Sequence, residues 1–443
     1  MATSQELEEN RTCLPSKVIR FRSSQMTQFD GLWRNPAFLR FWEAETVSVF
    51  GSLITRIALP FTAILMLDAG AFEMSLLVLA DLVPSCVVGL PVGVWVDRRR
   101  RLPLMIASDV ARASVLVSIP IAAAFDALTL VQLYAVALVA SALTVLFNVA
   151  QISILPALVS REDLLEANSK TSATQSLSEI GAFGIGGWLV QLLSGPGAIL
   201  IDAVSFLASA ALLRSVRVHE IGPAPEVRSR MRHEIVAGLS HMWRQPLLRA
   251  TALASTALWF GFSIFGTLIS LFALKELGFE AGPLAMIFAV GGDSSLVGSV
   301  LVGPVTRALG VGPAMIVGLL VAGLLLLPLV LAHGHGASAA VYLLVQQLGD
   351  GAVLVFLINE VSLRQTIVAP GLMGRVNSSA GFLRSIARLA GVLVAGLEGE
   401  IIGLRATLGL GGAVVTLGAI FLAFTSLRSL KTMPPCATPA LNG

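Results

Sequence analysis

Among the 443 residues of this chain, the side chains with most chemistry to offer are ionisable ones set inside long apolar runs. Asp81, Asp293 and Asp350 each interrupt such a run near its middle. Counted along a helix at about 1.5 Å per residue, they fall within a few Å of the midpoint. An ionised group in those surroundings is costly unless paired or hydrated, so each position is a candidate for handling ions or protons. Glu45 lies nearer one end of the first run, on a stripe with Ser48, Ser52 and Arg56 at helical spacing, a face expected to meet protein or water. Arg56 and Asp81 come at similar depth on neighbouring runs of opposite direction, and they are expected to pair. A carboxylate beside an arginine stays ionised, whereas one that loses that partner takes up a proton more readily. Glu45, Asp81, Asp293 and Asp350 are therefore the proton-coupling candidates, with structural pairing as the alternative for Asp81. Asp109 with Arg112 and Glu360 with Arg364 have the spacing of local helical ion pairs and read as structural. Arg384 and Arg388, one turn apart, need an anion: Asp293, Asp350 or an acidic group of a ligand. Glu179 and Asp202 read as packing and hydrogen-bonding residues.

The elements that must carry these residues are membrane helices. Hydrophobic residues make up 55% of the chain and charged ones 13%, and the mean hydropathy is +0.83. That balance lies outside the range of soluble domains. Runs of about eighteen apolar residues, each able to cross a ~30 Å hydrocarbon core, recur along the sequence. The apolar pattern predicts helices at 38–67, 74–96, 102–125, 128–152, 172–193 and 197–213, then 251–274, 283–302, 312–332, 339–362, 378–397 and 405–427. The expected class is an all-α membrane protein with twelve transmembrane helices.

Lysine and arginine collect on alternate connections, as the positive-inside rule requires. Arg34, Arg98 to Arg101, Arg161, Lys170, Arg307, Arg364, Arg375, Arg428 and the segment Arg214 to Arg249 fall on one side, and Lys275 and Arg405 on the other. Both termini are thus expected in the cytoplasm, with the chain in the cell inner membrane. The polar first thirty residues have no apolar core of a signal peptide and read as a cytoplasmic tail. The net charge of +3 is accounted for by this topology, so no nucleic-acid partner is expected. Cys13 and Cys436 in the tails and Cys86 in the second run give no disulfide framework.

A repeat divides the chain. Trp33, Arg34 and Pro36 match Trp243, Arg244 and Pro246; Ala44, Thr46, Phe50 and Gly51 match Ala254, Thr256, Phe260 and Gly261. Gly93, Pro103, Met105 and Ile106 match Gly303, Pro313, Met315 and Ile316, all at an offset of 210 positions. With one residue of slippage Val159, Asn168 and Ser169 match Val368, Asn377 and Ser378. Six helices per copy give two halves of the same orientation, with a ligand expected between them near midplane. The expected layout is a tail at 1–35, a first bundle at 36–213, a linker at 214–248, a second bundle at 249–427 and a tail at 428–443.

Over most of 33–427 the chain resembles the major facilitator superfamily, and in particular bacterial drug and siderophore exporters of the drug:proton antiporter type. The loop Gly93-Val-Trp-Val-Asp97-Arg98-Arg-Arg-Arg101 is similar to that family's G-x-x-x-D-R-x-G-R-R/K motif, departing from it at Arg100 and Leu102. The resemblance implies a gating loop at Gly93, Asp97, Arg98 and Arg101 that grips the opposite half in one access state. The matching place in the second half reads Gly303-Pro-Val-Thr-Arg307 and lacks the acid, so the latch is expected to be one-sided. The family's antiporter motif would fall on Ser178 to Gly187, where Gly186 and Gly187 keep their places.

The family lines its cavity with the first helix of each three-helix unit. This implies Asn148, Gln151, Trp259, Phe265, Asp350, Phe356 and Asn359 as lining residues, with Arg56 and Arg384 as further cavity candidates. Few charges beside several aromatics suit an amphiphilic molecule. No phosphate-binding G-x-x-x-x-G-K-[ST] loop occurs, and the histidines lack metal-site spacing. No enzyme activity, metal or cofactor is expected. The expected partners are a small molecule, protons and the bilayer, and the expected state is a monomer. The resemblance implies proton-coupled export of a drug, antibiotic or secondary metabolite. The alternatives are a siderophore, lysophospholipid or nutrient carrier of the same fold, or a non-transporting membrane sensor or assembly subunit.

Overall fold

The computed structural model describes residues 32–87, 92, 95–96, 99–160, 163–218, 231–334 and 336–434. Its α-helices are α1 (Pro36–Met66), α2 (Ala71–Val87), α3 (Arg101–Ala124), α4 (Leu130–Leu158), α5 (Leu164–Arg214), α6 (Met231–Arg244) and α7 (Pro246–Leu271). After them come α8 (Ala281–Leu309), α9 (Val311–Leu326), α10 (Ala337–Gln347), α11 (Gly349–Ile367), α12 (Pro370–Ile401) and α13 (Leu404–Ala423). Ten helices among the described residues are long and apolar enough to cross a membrane, α10 and α11 together forming one of them. Two further predicted segments are not counted separately: the described part of α2 has 17 residues, and within α5 the counted span is Gly184–Arg214. The predicted fifth and sixth helices are the two arms of α5, which part at Ser194, where φ is 65° and the backbone leaves the helical region.

Local chemistry sets the starts. Asn35 caps α1 by accepting from the backbone N–H of Ala37 and Phe38, at 3.1 Å each, and Pro36 occupies the first helical position. Pro246 starts α7 in the same way. The repeat seen in the sequence reappears as paired helix starts: Pro36 with Pro246, Ala71 with Ala281, and Arg101 with Val311, each 210 positions apart. Several helices outrun their predictions, notably α4, α5 and α12. Hydropathy marks only the apolar centre of a helix, whereas backbone hydrogen bonding continues into the polar turns beyond it. The segment expected as a plain linker contains the amphipathic helix α6, which packs on α12 where Gly238 meets the Arg375 carbonyl and Ser379.

Burial divides the bundle by depth. On the side of the linker, which we call the linker face, each half has its own core. Phe38, Phe41, Met105, Phe147 and Ile154 form one, and Met315, Leu319, Phe356, Leu363 and Val415 the other. Toward the opposite, distal face a single core spans both halves, joining Ile57, Phe61 and Met74 to Ile264, Leu268, Phe272 and Leu284. Among the described residues, the halves are therefore packed together at the distal end and keep separate cores at the linker end.

Candidate functional site

Hydrogen bonds reinforce the distal closure. Glu400, at the end of α12, accepts from the backbone N–H of Ala71 (2.9 Å) and Phe72 (3.2 Å), so a carboxylate of the second half caps α2 of the first. That end of a helix carries unpaired N–H groups and partial positive charge, which an anion satisfies. Lys275 donates to Asp68 Oδ1 at 2.5 Å, and Gln191 binds both the Glu280 carboxylate (2.7 Å) and the Gly282 N–H (3.0 Å). The Lys275 ammonium holds the carboxyl of Asp68, in the exposed loop between α1 and α2, below the usual carboxylate range. Glycines permit the close approach. A Cβ on Gly187 of α5 would lie 2.2 Å from the Ala285 Cβ of α8, and one on Gly396 of α12 would lie 2.1 Å from the Ser75 Oγ of α2.

Beneath this closure sits a group of charges contributed by both halves. Arg56 of α1 and Arg388 of α12 are the charges acting on Asp81 of α2, and Arg388 also feels Arg56 and Cys86. All three charged residues are exposed. Because they act on one another from three helices, the space to which they are open lies between those helices and not on the outer surface. Arg56 and Asp81 are ten residues from the distal ends of their helices and Arg388 thirteen, which is roughly 15–20 Å of helical rise. They therefore share one level near the middle of the span. The Arg388 guanidinium stands 5.8 Å from the ring centroid of Trp259 on α7, whose Nε1 is buried and has no hydrogen-bond partner among the described residues.

The profile of the Major Facilitator Superfamily matches residues 46–392. This chain belongs to that superfamily. Among curated facilitators it is 27% identical over 425 residues to the multidrug efflux pump Tap of Mycolicibacterium fortuitum, covering 90% of this chain and 97% of Tap. It is 28% identical over 252 residues to the uncharacterized transporter YkuC of Bacillus subtilis, a match spanning 56% of this chain and 57% of that relative. Macrolide efflux protein A of Streptococcus pyogenes is 25% identical over 185 residues, 42% of this chain and 45% of that protein. The fold matches a bacterial homologue of the iron transporter ferroportin in its inward-facing state, with a TM-score of 0.71, 18% identity, and coverage of 89% of this chain and 98% of that one. It matches the nucleoside transporter NupG with a TM-score of 0.67, 12% identity, and coverage of 87% of this chain and 98% of that one. The chain is thus a multi-pass membrane protein of a family of secondary transporters, not of enzymes.

Within the facilitator fold the predicted site residues separate. Asp81 and Arg56 come together, though as electrostatic neighbours without an ion pair within 4.0 Å. Glu45 is buried and accepts from Gln151 Nε2 of α4; Ser48 on its stripe is also buried, while Arg56 opens to the cleft. Asp350 is half-buried against Gly291 of α8, where an added Cβ would lie 2.6 Å from its Oδ2. Asp293 is exposed on α8, and neither it nor Asp350 is among the charges acting on Arg388. Of the anions expected for these arginines, the two aspartates give way to Asp81, which acts on Arg388, and Glu360, which acts with Arg384, while an acidic group of a ligand stays open. The local pairs form as expected. Arg364 Nη1 reaches Glu360 Oε1 at 2.9 Å, and Arg112 pairs with Asp109 while lying 4.5 and 4.0 Å from the Phe147 and Phe206 ring centroids. Asp202 is buried and accepts from Ser205 Oγ at 3.1 Å, and Glu179 accepts from Gln175.

Of the expected lining residues, Asn148 is exposed and Gln151, Trp259 and Phe265 are half-buried. Phe356 is fully enclosed in the core of the second half and lines no open space. Asn359 is buried too, its amide donating to Thr306 Oγ1 (2.9 Å) and to the Val355 carbonyl (2.9 Å). Both stand on the face of α11 turned into its own half, because the rule that picks the lining helix does not pick the face. Gly93, Asp97 and Arg98 of the gating loop lie outside the described residues, while Arg101 starts α3. The sequence reading missed the Glu400 cap on α2. A glutamate at an outer helix end is an ordinary surface residue until the opposing helix is known.

Proposed function

We propose that this chain is a proton-coupled exporter of small amphiphilic molecules, working by alternating access between a bundle at 36–213 and a bundle at 249–427. In this reading both termini and the linker are cytoplasmic in the cell inner membrane, so the cleft is closed outward and open inward. The observation that carries it is the one-sided closure: a shared core and the Glu400, Asp68 and Gln191 contacts at the distal face, against separate cores at the linker face. Export as the direction is supported by the likeness to an efflux pump along nearly its whole length. Proton coupling is supported by Asp81, a carboxylate open to the cleft whose arginine partners come from both halves and so change when the halves rock.

The test is cellular accumulation of a compound panel with and without a protonophore, comparing the wild type with Asp81→Asn. Export that stops in the variant and collapses with the protonophore supports the reading. Export insensitive to both refutes the coupling, and no movement of any compound by folded protein in liposomes under a pH gradient refutes transport.

A further inference from the structure

The chemistry of the cleft reaches the substrate class, an inference that rests on the transport reading above. Arg56 and Arg388 share one carboxylate, Asp81, and neither closes an ion pair with it. A structural salt bridge between these groups would be short and often bidentate. Here, among the described residues, two guanidiniums stand against one carboxylate, and one positive charge is left over. One turn along α12 the imbalance recurs: Arg384 and Arg364 share Glu360, already taken up at 2.9 Å by Arg364. Beside Arg388, the Trp259 ring offers an apolar face, and its buried N–H has no acceptor among the described residues. A buried donor without a partner is uncommon and costly in a folded protein, and an oxygen brought by a ligand satisfies it. A planar guanidinium next to an aromatic face is the pairing that suits an acidic group on an apolar body.

We propose that the cleft selects organic anions: amphiphilic molecules whose carboxylate, sulfonate or phosphate group binds Arg388 and Arg56 in place of Asp81. The apolar part of such a molecule lies on Trp259, and an acceptor atom meets Nε1. A cationic amphiphile brings like charge to two guanidiniums and is disfavoured at this level.

The test uses the purified full-length protein in lipid nanodiscs, titrated calorimetrically with three probes of one shape: 2-naphthoate, 2-naphthylmethanol and 2-naphthylmethylammonium. The expected result is that naphthoate binds about tenfold or more tightly than the ammonium probe, that Arg388→Gln weakens naphthoate by about tenfold, and that Arg388→Lys recovers part of the loss. Trp259→Phe keeps an apolar ring but removes the N–H, and is expected to weaken naphthoate more than the ammonium probe, which carries no acceptor. Where Arg388→Gln does not fold, Arg56→Gln reads the same loss. The inference is overturned if naphthoate does not bind, if the ammonium probe binds as tightly, or if both arginine variants leave naphthoate within about twofold of wild type. Counterflow in liposomes separates the two readings. Anion binding without any flux refutes transport alone, whereas flux restricted to cations refutes the anion selectivity alone.

Discussion

Replacing Glu400 should loosen the distal closure by an amount the structure allows one to size. Its carboxylate accepts two backbone N–H groups at the start of α2, at 2.9 and 3.2 Å, and both belong to the opposite half. Hydrogen bonds to a charged acceptor contribute about 1.5–3 kcal/mol when buried. Glu400 is exposed, and screening reduces its contribution to about 1 kcal/mol. Glu400→Ala should therefore shift the balance between distal-closed and distal-open states about fivefold toward open. Glu400→Gln keeps an acceptor oxygen but loses the charge, and should shift it by about twofold. The assay is double electron–electron resonance between spin labels at Asp126→Cys and His333→Cys, on two exposed distal loops, with the native cysteines replaced by serine. A second, longer distance should gain population in the order wild type, Gln, Ala. Identical distance distributions in all three, or a larger shift for Gln than for Ala, would refute the role assigned to Glu400 in the closure.

Three other perturbations follow from the same geometry. Gly187→Val places side-chain atoms where α8 already stands, the Ala281 carbonyl being 2.3 Å from an added Cβ; the distal-open population should rise above that of Glu400→Ala on the same spin-label pair. Arg112→Ala strands the buried Asp109 charge and empties the space between Phe147 and Phe206, so it should cost about 3–5 kcal/mol and appear as a lowered melting temperature in detergent, with an unchanged melt as the contrary result. Because Lys275 depresses the pKa of Asp68, the contact between them is complete above the ordinary aspartate range and lost as pH falls through the lowered value. Distal opening by acid at this site should thus begin only below about pH 4 and be absent in Asp68→Asn, as followed by the same distances.

How far the sequence could be read depended on whether a feature is linear along the chain. Depth is linear, so helical rise alone set Asp81 and Asp350 at the middle of their spans. Pairs within one helix are linear too, and Asp109 with Arg112 and Glu360 with Arg364 met as their spacing required. Azimuth is not. In a soluble helix the apolar stripe marks the buried face, but a membrane helix is apolar toward both lipid and protein, and that marker fades. Phe356 and Trp259 were therefore indistinguishable as lining candidates, although one is sealed in a core and the other borders the cleft. That Asp81 acts on Arg388, and Glu360 with Arg384, stayed hidden for the same cause. The linker helix α6 escaped notice because the Gly-Pro pair ahead of it dominated that segment.

The enclosure of Arg112 also bears on how the chain enters the membrane. Its aromatic neighbours come from α4 and α5, which leave the ribosome after α3. At the moment α3 is handed to the lipid, neither ring is available, and an arginine at the centre of a helix opposes insertion by about 2.5–3.5 kcal/mol. Asp109 is already present one turn earlier in the same helix. The pair can thus neutralise itself before any tertiary contact exists, and the later helices close around a segment that had become insertable unaided.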